Sequence, residues 1–230
     1  MTREQRLCNG MSPWLSPVAD VVTQDLVLPL FFAGVTVLDG QHLPHSGPAL
    51  LAPTHRSRWD ALLMPHAAGR RVSGRDCRFM VTLDEMLGLQ GWVLRRVGCF
   101  AVNQSRPSLT SLRYAVELLQ QGQQLVVFPE GRIKRDLHSS IQVQQGLARL
   151  ALLAQGQGVT VPVIPVGLAY QHRPARWRDR AAVCFGDPLH IGSGERSAAR
   201  AFSQELASAM EAAERKACGA IAATPALPPC

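Results

Sequence analysis

The chain has 230 residues, 47% of them apolar and 18% charged, which suits one domain with a substantial core and excludes disorder except at the ends. A formal net charge of +7 gives a surface that attracts anions: nucleic acid, an acidic membrane face, or a phosphorylated or acidic carrier substrate. Six widely spread cysteines, with no C-x-x-C and no ligand-like pairing with histidine, exclude a disulfide frame and a zinc site and read as the reduced thiols of a cytosolic protein.

Residues 1–20 mix charges and prolines without an apolar stretch, so no secretory signal is expected there. The longest uncharged apolar run, residues 26–38, lies between Asp25 and Asp39 and contains Pro29. It is shorter than the roughly 20 residues of a membrane span. Residues 1–33 therefore read as an N-terminal helical segment with two placements open. Val18, Val21, Val22, Leu26, Leu28, Leu30, Phe31 and Phe32 form an anchor in the membrane interface, or the segment packs on a sheet as a core helix.

From residue 34, short β-rich runs alternate with helical stretches. This is the pattern of a single α/β domain whose mixed, largely parallel sheet is flanked by helices, expected over 34–218 with a flexible tail over 219–230. Strands are predicted at 34–38, 49–53, 78–82, 99–102, 124–128, 160–166 and 181–185. His42 and His45 flank Pro44 with no cysteine or acidic cluster nearby, and read as loop. Pro107 suits a first helical turn, Leu109, Leu112, Val116 and Leu119 recur at helical spacing, and Gly122 can end that helix. Val143, Leu147, Leu150, Ala151 and Ala154 repeat the pattern up to Gly156, and a last helix is expected over 197–218.

Two motifs carry chemistry. Residues 55–60 read H-R-S-R-W-D, directly after the strand at 49–53, and residues 128–131 read F-P-E-G at the end of another. An imidazole of near-neutral pKa can take a proton from an alcohol, and a carboxylate beside it can fix its tautomer and stabilise the imidazolium that forms. Both motifs fall at carboxyl ends of strands, where open α/β sheets keep their ligands. Between residues 55 and 113 ten arginines stand against four acids, so positive charge gathers around this edge.

On these residues the chain resembles the glycerolipid acyltransferases typified by 1-acylglycerol-3-phosphate acyltransferase. The H-x4-D matches His55 and Asp60, the F-P-E-G matches Phe128 to Gly131, and the V-P-V-I-P-V strand matches residues 161–166. The family's second block matches residues 98–102, but Gln104 stands where it usually places an arginine, with Arg106 two positions on. After F-P-E-G the family's Thr-Arg-Ser is replaced by Arg132, Ile133, Lys134 and Arg135.

The resemblance implies transfer of a fatty acyl group from a thioester, on acyl carrier protein or coenzyme A as co-substrate, to a free glycerol hydroxyl. It implies no cofactor, no metal and no covalent acyl-enzyme. His55 is the expected general base, worth roughly 10² to 10⁴ in rate, and Asp60 its orienting partner. Arg132, Arg106 or Arg135 would each hold the acceptor's phosphate through paired hydrogen bonds. Glu130 would hold an acceptor hydroxyl or a neighbouring arginine, and Gly131 would let the backbone approach the ligand or take a positive φ. The expected acceptor is lysophosphatidate, with glycerol-3-phosphate or another lysolipid as alternative. The expected place is the cytoplasmic side of a membrane, peripheral or monotopic, with the oligomeric state open.

Two other classes compete. A non-catalytic polyanion or lipid binder rests on charge, but only 6% of residues are aromatic and no nucleic-acid motif appears, so no nucleic-acid partner is expected. A serine hydrolase using Ser57 lacks a G-x-S-x-G elbow.

Overall fold

Seven runs pair into one sheet in the computed structural model of the chain, which describes residues 9–103, 108–134, 140–192 and 196–223. The strands are β1 (Phe32–Leu38), β2 (Ala49–Pro53), β3 (Cys77–Thr82), β4 (Phe100–Val102), β5 (Gln124–Val126), β6 (Val163–Tyr170) and β7 (Asp179–Phe185), in the order β1-β7-β6-β2-β5-β3-β4. Every neighbouring pair is parallel except β6 and β7. The predicted class, a mixed and largely parallel α/β sheet, is thus the observed one. β2 sits at the centre, and all five of its residues are buried, which is why it reads as an unbroken apolar run rather than an alternating one.

The helices are α1 (Leu15–Val21), α2 (Leu28–Phe31), α3 (Asp60–Ala68), α4 (Arg70–Ser73), α5 (Gly88–Arg96), α6 (Leu109–Gln120), α7 (Gly146–Gly156) and α8 (Arg196–Ala223). A π-helical stretch, Val22–Val27, joins α1 to α2, and a 3-10 turn, Leu83–Met86, precedes α5. Because successive strand residues point to opposite faces, the core divides in two. Leu50, Leu125 and Val163 meet Leu119 of α6, Leu147 and Leu150 of α7, and Leu206 and Met210 of α8. Leu51, Val126 and Ile164 meet Leu28 of α2, Leu63 and Met64 of α3, and Phe79.

Several boundaries differ from expectation, each for a local reason. β5 stops at Val126, short of Phe128, because the last ladder bond is Val127 N–H to Leu51 O and a turn follows at Pro129. β6 starts at Val163, after Pro162, and runs on to Tyr170 because its far half pairs antiparallel with β7. α6 is capped by Ser108, whose Oγ accepts the Ser111 N–H, while Pro107 lies outside the described residues. Val143 precedes α7 rather than opening it. β1 begins at Phe32, ahead of the start expected at 34. α8 continues through Gly219 to Ala223, into the stretch expected as tail, since an alanine-rich sequence favours the helix.

One contact sets the geometry of the site. A Cβ at Gly167 of β6 would lie 2.1 Å from the Glu214 backbone nitrogen and 2.2 Å from the Ala213 carbonyl carbon. The bare glycine lets α8 cross directly on β6, which brings the Glu214 side chain to the loop that follows β2.

Candidate active site

β2 ends at Pro53 and the chain turns through Thr54 to Ser57 before Asp60 opens α3. Thr54 is buried and tied to β6, its N–H to Val166 O and its Oγ1 accepting Leu168 N–H. The loop is therefore fixed on both flanks. His55 Nδ1 lies 2.8 Å from Asp60 Oδ2. The same oxygen accepts the backbone N–H of Arg56 at 2.6 Å and of Ser57 at 2.8 Å, and Oδ1 accepts Tyr170 Oη–H at 2.5 Å. The five-residue spacing is what this folding requires: the carboxylate at the start of a helix gathers the N–H groups of the loop entering it, and the imidazole with them.

The second motif closes on the first. The Phe128 ring stacks on the His55 imidazole, centroids 4.2 Å apart. Glu130 Oε1 accepts the His55 backbone N–H at 2.9 Å and Arg56 Nη1–H at 2.7 Å. Gly131 takes φ +71°, the left-handed conformation a turn needs here. Lys134 N–H donates to His55 O. Of the two roles open to Glu130, the geometry supports the neighbouring arginine. Its carboxylate is buried, is not part of the cavity wall, and is bound to the loop that carries His55.

Three partners outside the motifs complete the network. Arg56, buried, donates from Nε and Nη2 to both carboxylate oxygens of Glu214 at 2.6 and 2.7 Å. Arg173 Nη2 donates to Glu214 Oε1 at 2.8 Å. Burial works against the Arg56 charge, but the Glu214 and Glu130 carboxylates hold its pKa above the ordinary value. Burial likewise pushes Glu214 up, and the hydrogen bonds from Arg56 and Arg173 outweigh it, holding the carboxyl below its ordinary range. Burial, then the Asp60 charge, pushes the Tyr170 phenol well above its ordinary range, so it remains a donor. Arg56 was legible inside H-R-S-R-W-D. Tyr170 and Glu214 carry no local sequence signal, lying 110 and 158 residues from their partners.

His55 forms part of the wall of a cavity of about 760 Å³ that is mostly apolar. Leu62, Phe79, Val81, Leu94, Leu112 and Leu147 are among its lining residues. Among the described residues Nε2 of His55 has no protein partner, so it is the nitrogen free to take a proton. Gly131 and the exposed Arg132 belong to the same wall, as does Arg58, which sequence reasoning did not single out. Gln104, Arg106 and Arg135 lie outside the described residues. Cys77 and Cys99 also line the cavity, but burial raises both thiols, Cys99 to about 12, so neither is a nucleophile near neutral pH. Ser57 Oγ accepts the Trp59 N–H, and among the described residues no hydrogen bond joins it to the His55 ring. Among the described residues no group of three His, Cys, Asp or Glu side chains could hold a metal ion, and no helix is long and apolar enough to cross a membrane.

Comparison with known proteins bears on the family and the fold. The chain is 28% identical over 148 residues to a 1-acyl-sn-glycerol-3-phosphate acyltransferase of Streptococcus pneumoniae, over 62% of this chain and 50% of that protein. It thus spans about half the length of the curated relative it matches. The crystal structure of the 1-acyl-sn-glycerophosphate (LPA) acyltransferase PlsC from Thermotoga maritima has the same fold, with a TM-score of 0.63 at 18% identity, over 87% of this chain and 78% of that one. The Acyltransferase family model matches residues 34–169, more than half of the chain and inclusive of both motifs, and by that match the chain belongs to the Acyltransferase family.

Proposed function

We propose that the protein acylates the free hydroxyl of lysophosphatidate, taking a fatty acyl group from an acyl thioester on acyl carrier protein or coenzyme A and releasing phosphatidate. The observation that carries this reading is the His55–Asp60 pair, with the second imidazole nitrogen free on an apolar cavity. Nε2 takes the proton as the acceptor oxygen attacks the thioester carbonyl. The carbon–sulfur bond breaks as the tetrahedral intermediate collapses, and the thiolate leaves, taking the proton back. Acyl transfer is direct and calls for neither cofactor nor metal. Arg132 and Arg58 are the cations on the described cavity wall able to meet the acceptor's phosphate.

A lipid acceptor requires contact with a bilayer, and the N-terminal helical run supports one. Leu28 and Phe32 pack into the core, while Val18, Val21, Leu26 and Leu30 are exposed. One face of the segment is thus committed to the core, and the other offers an apolar surface that a bilayer would cover. The protein works as a peripheral enzyme on the cytoplasmic side.

The test is acyl transfer by the purified protein from acyl carrier protein and coenzyme A thioesters to lysophosphatidate, glycerol-3-phosphate and a zwitterionic lysolipid, with His55→Ala alongside. Transfer to lysophosphatidate that falls by roughly 10² or more in the variant is expected. Transfer only to acceptors without a terminal phosphate, or none at all, overturns the acceptor or the reaction respectively. Arg132→Ala is expected to raise KM for lysophosphatidate and leave kcat near the parent value, because a phosphate contact is made equally in ground and transition states.

A further inference from the structure

We propose that α5 is a second membrane contact, docking on an anionic lipid surface beside the mouth of the cavity. This rests on the reading of the acceptor as a lipid. Along α5, Leu89, Trp92, Val93 and Arg96 fall on one stripe at helical spacing. The opposite face is committed to the protein: Gly91 is packed so closely on the Met86 carbonyl that a Cβ would lie 2.0 Å from its oxygen, and Leu94 joins the core. The free stripe is apolar where a soluble helix would be polar. Leu89 is 78% exposed, Trp92 48% and Val93 39%, and Leu87, just before the helix, is 70% exposed.

The occupant is indicated by charge and position. α5 holds two exposed arginines and no acid, and the Arg96 guanidinium sits 4.7 Å from the centre of the Trp92 ring. A tryptophan flanked by arginines suits the headgroup level of an anionic bilayer, where the ring is half in hydrocarbon and the cations meet phosphate. Val93 belongs both to the stripe and to the cavity wall, and Ser16, Ala19 and Thr23 of the N-terminal helix line the same cavity. Ser12 N–H donates to Arg96 O, tying the two elements together. The cavity thus opens between two apolar rims, and a lysolipid chain can pass from bilayer to His55 without crossing water. One rim alone would leave that chain exposed on the α5 side.

The experiment uses the full chain with vesicles of phosphatidylglycerol and phosphatidylcholine, and the double variant Leu89→Asp, Trp92→Asp. Neither residue lines the cavity. The expected result is a loss of vesicle binding and of vesicle-supported acylation of long-chain lysophosphatidate by about tenfold or more. Acylation of a short-chain lysophosphatidate below its micelle concentration stays within about twofold of the parent, which also reports folding. Arg95→Glu, Arg96→Glu, a milder surface change, is expected to lose the preference for phosphatidylglycerol over phosphatidylcholine. Unchanged vesicle binding in both variants overturns the α5 contact and leaves the proposed reaction standing. A parent that acylates neither acceptor overturns the reaction, and vesicle binding by parent and variants then decides the surface by itself.

Discussion

Taking a carboxylate out of water costs several kcal/mol unless donors replace the lost solvent. Asp60 has no exposure and accepts four hydrogen bonds, three of them on Oδ2, leaving Tyr170 as the donor to Oδ1. The tyrosine therefore acts on the imidazole through Asp60. Replacing Tyr170 with Phe keeps the ring packed against Phe32 and removes that donor, together with the phenol's hydrogen bond to Ser57. A hydrogen bond to a charged group is worth about 1.5–3 kcal/mol, so kcat is expected to fall about tenfold or more with KM little changed. Steady-state kinetics on the folded variant checks this, and a change confined to KM would mean the phenol serves substrate binding instead. His55 and Asp60 were readable because one loop leads from the first to the second at the start of α3, placing them within reach of each other by local folding. Glu130 was readable as a motif residue but not in its role, since only the fold shows that its carboxylate faces the buried loop and not the cavity.

The strands were legible because central strands of a mostly parallel sheet bury both faces and appear as apolar runs, as at 49–53. Their ends were less so, because pairing with a distant strand decides where a ladder stops, as for β6 carried on to Tyr170 by β7. Nothing local marks α8 as part of the site. Its contribution depends on Gly167, and alanine there is expected to lower stability by about 1–3 kcal/mol or more, because backbone on the far side cannot yield as a side chain would. The Glu214 clamp has its own signature. Glu214 is held below its ordinary value of 4.5, so the unfolded chain takes up a proton before the folded one as pH falls. Its contribution is fully present above that value and is lost as pH drops through the lowered folded value. Urea unfolding should show Glu214→Gln destabilised by about 1.5–3 kcal/mol near neutrality, with the gap to the parent closing in acid. A gap independent of pH would assign the loss to packing.

At the scale of the molecule, the net charge of +7 was legible from composition, but its use depends on where the fold places it. Arg56 and Arg173, buried or nearly so, are matched by Glu214 and Glu130, and Arg70 and Arg71 pair with Asp76 and Asp25. Such paired arginines serve the fold. Arg132 on the cavity wall, and Arg95 and Arg96 on α5, are exposed and have no carboxylate partner among the described residues, which leaves their charge to act on anions outside the protein. Attraction between exposed charges is screened within about 10 Å at 0.1 M salt and about 3 Å at 1 M. Raising ionic strength is therefore expected to raise KM for a short-chain, phosphate-bearing acceptor while kcat holds, since Asp60 and Tyr170 behind His55 are buried. Arg132→Ala should flatten that salt dependence, because one of the screened partners is already gone. An acceptor without a phosphate should show little of it in either protein. Equal salt sensitivity for charged and uncharged acceptors would instead place the effect on the catalytic network, and would argue that the exposed arginines have no part in recognising the acceptor.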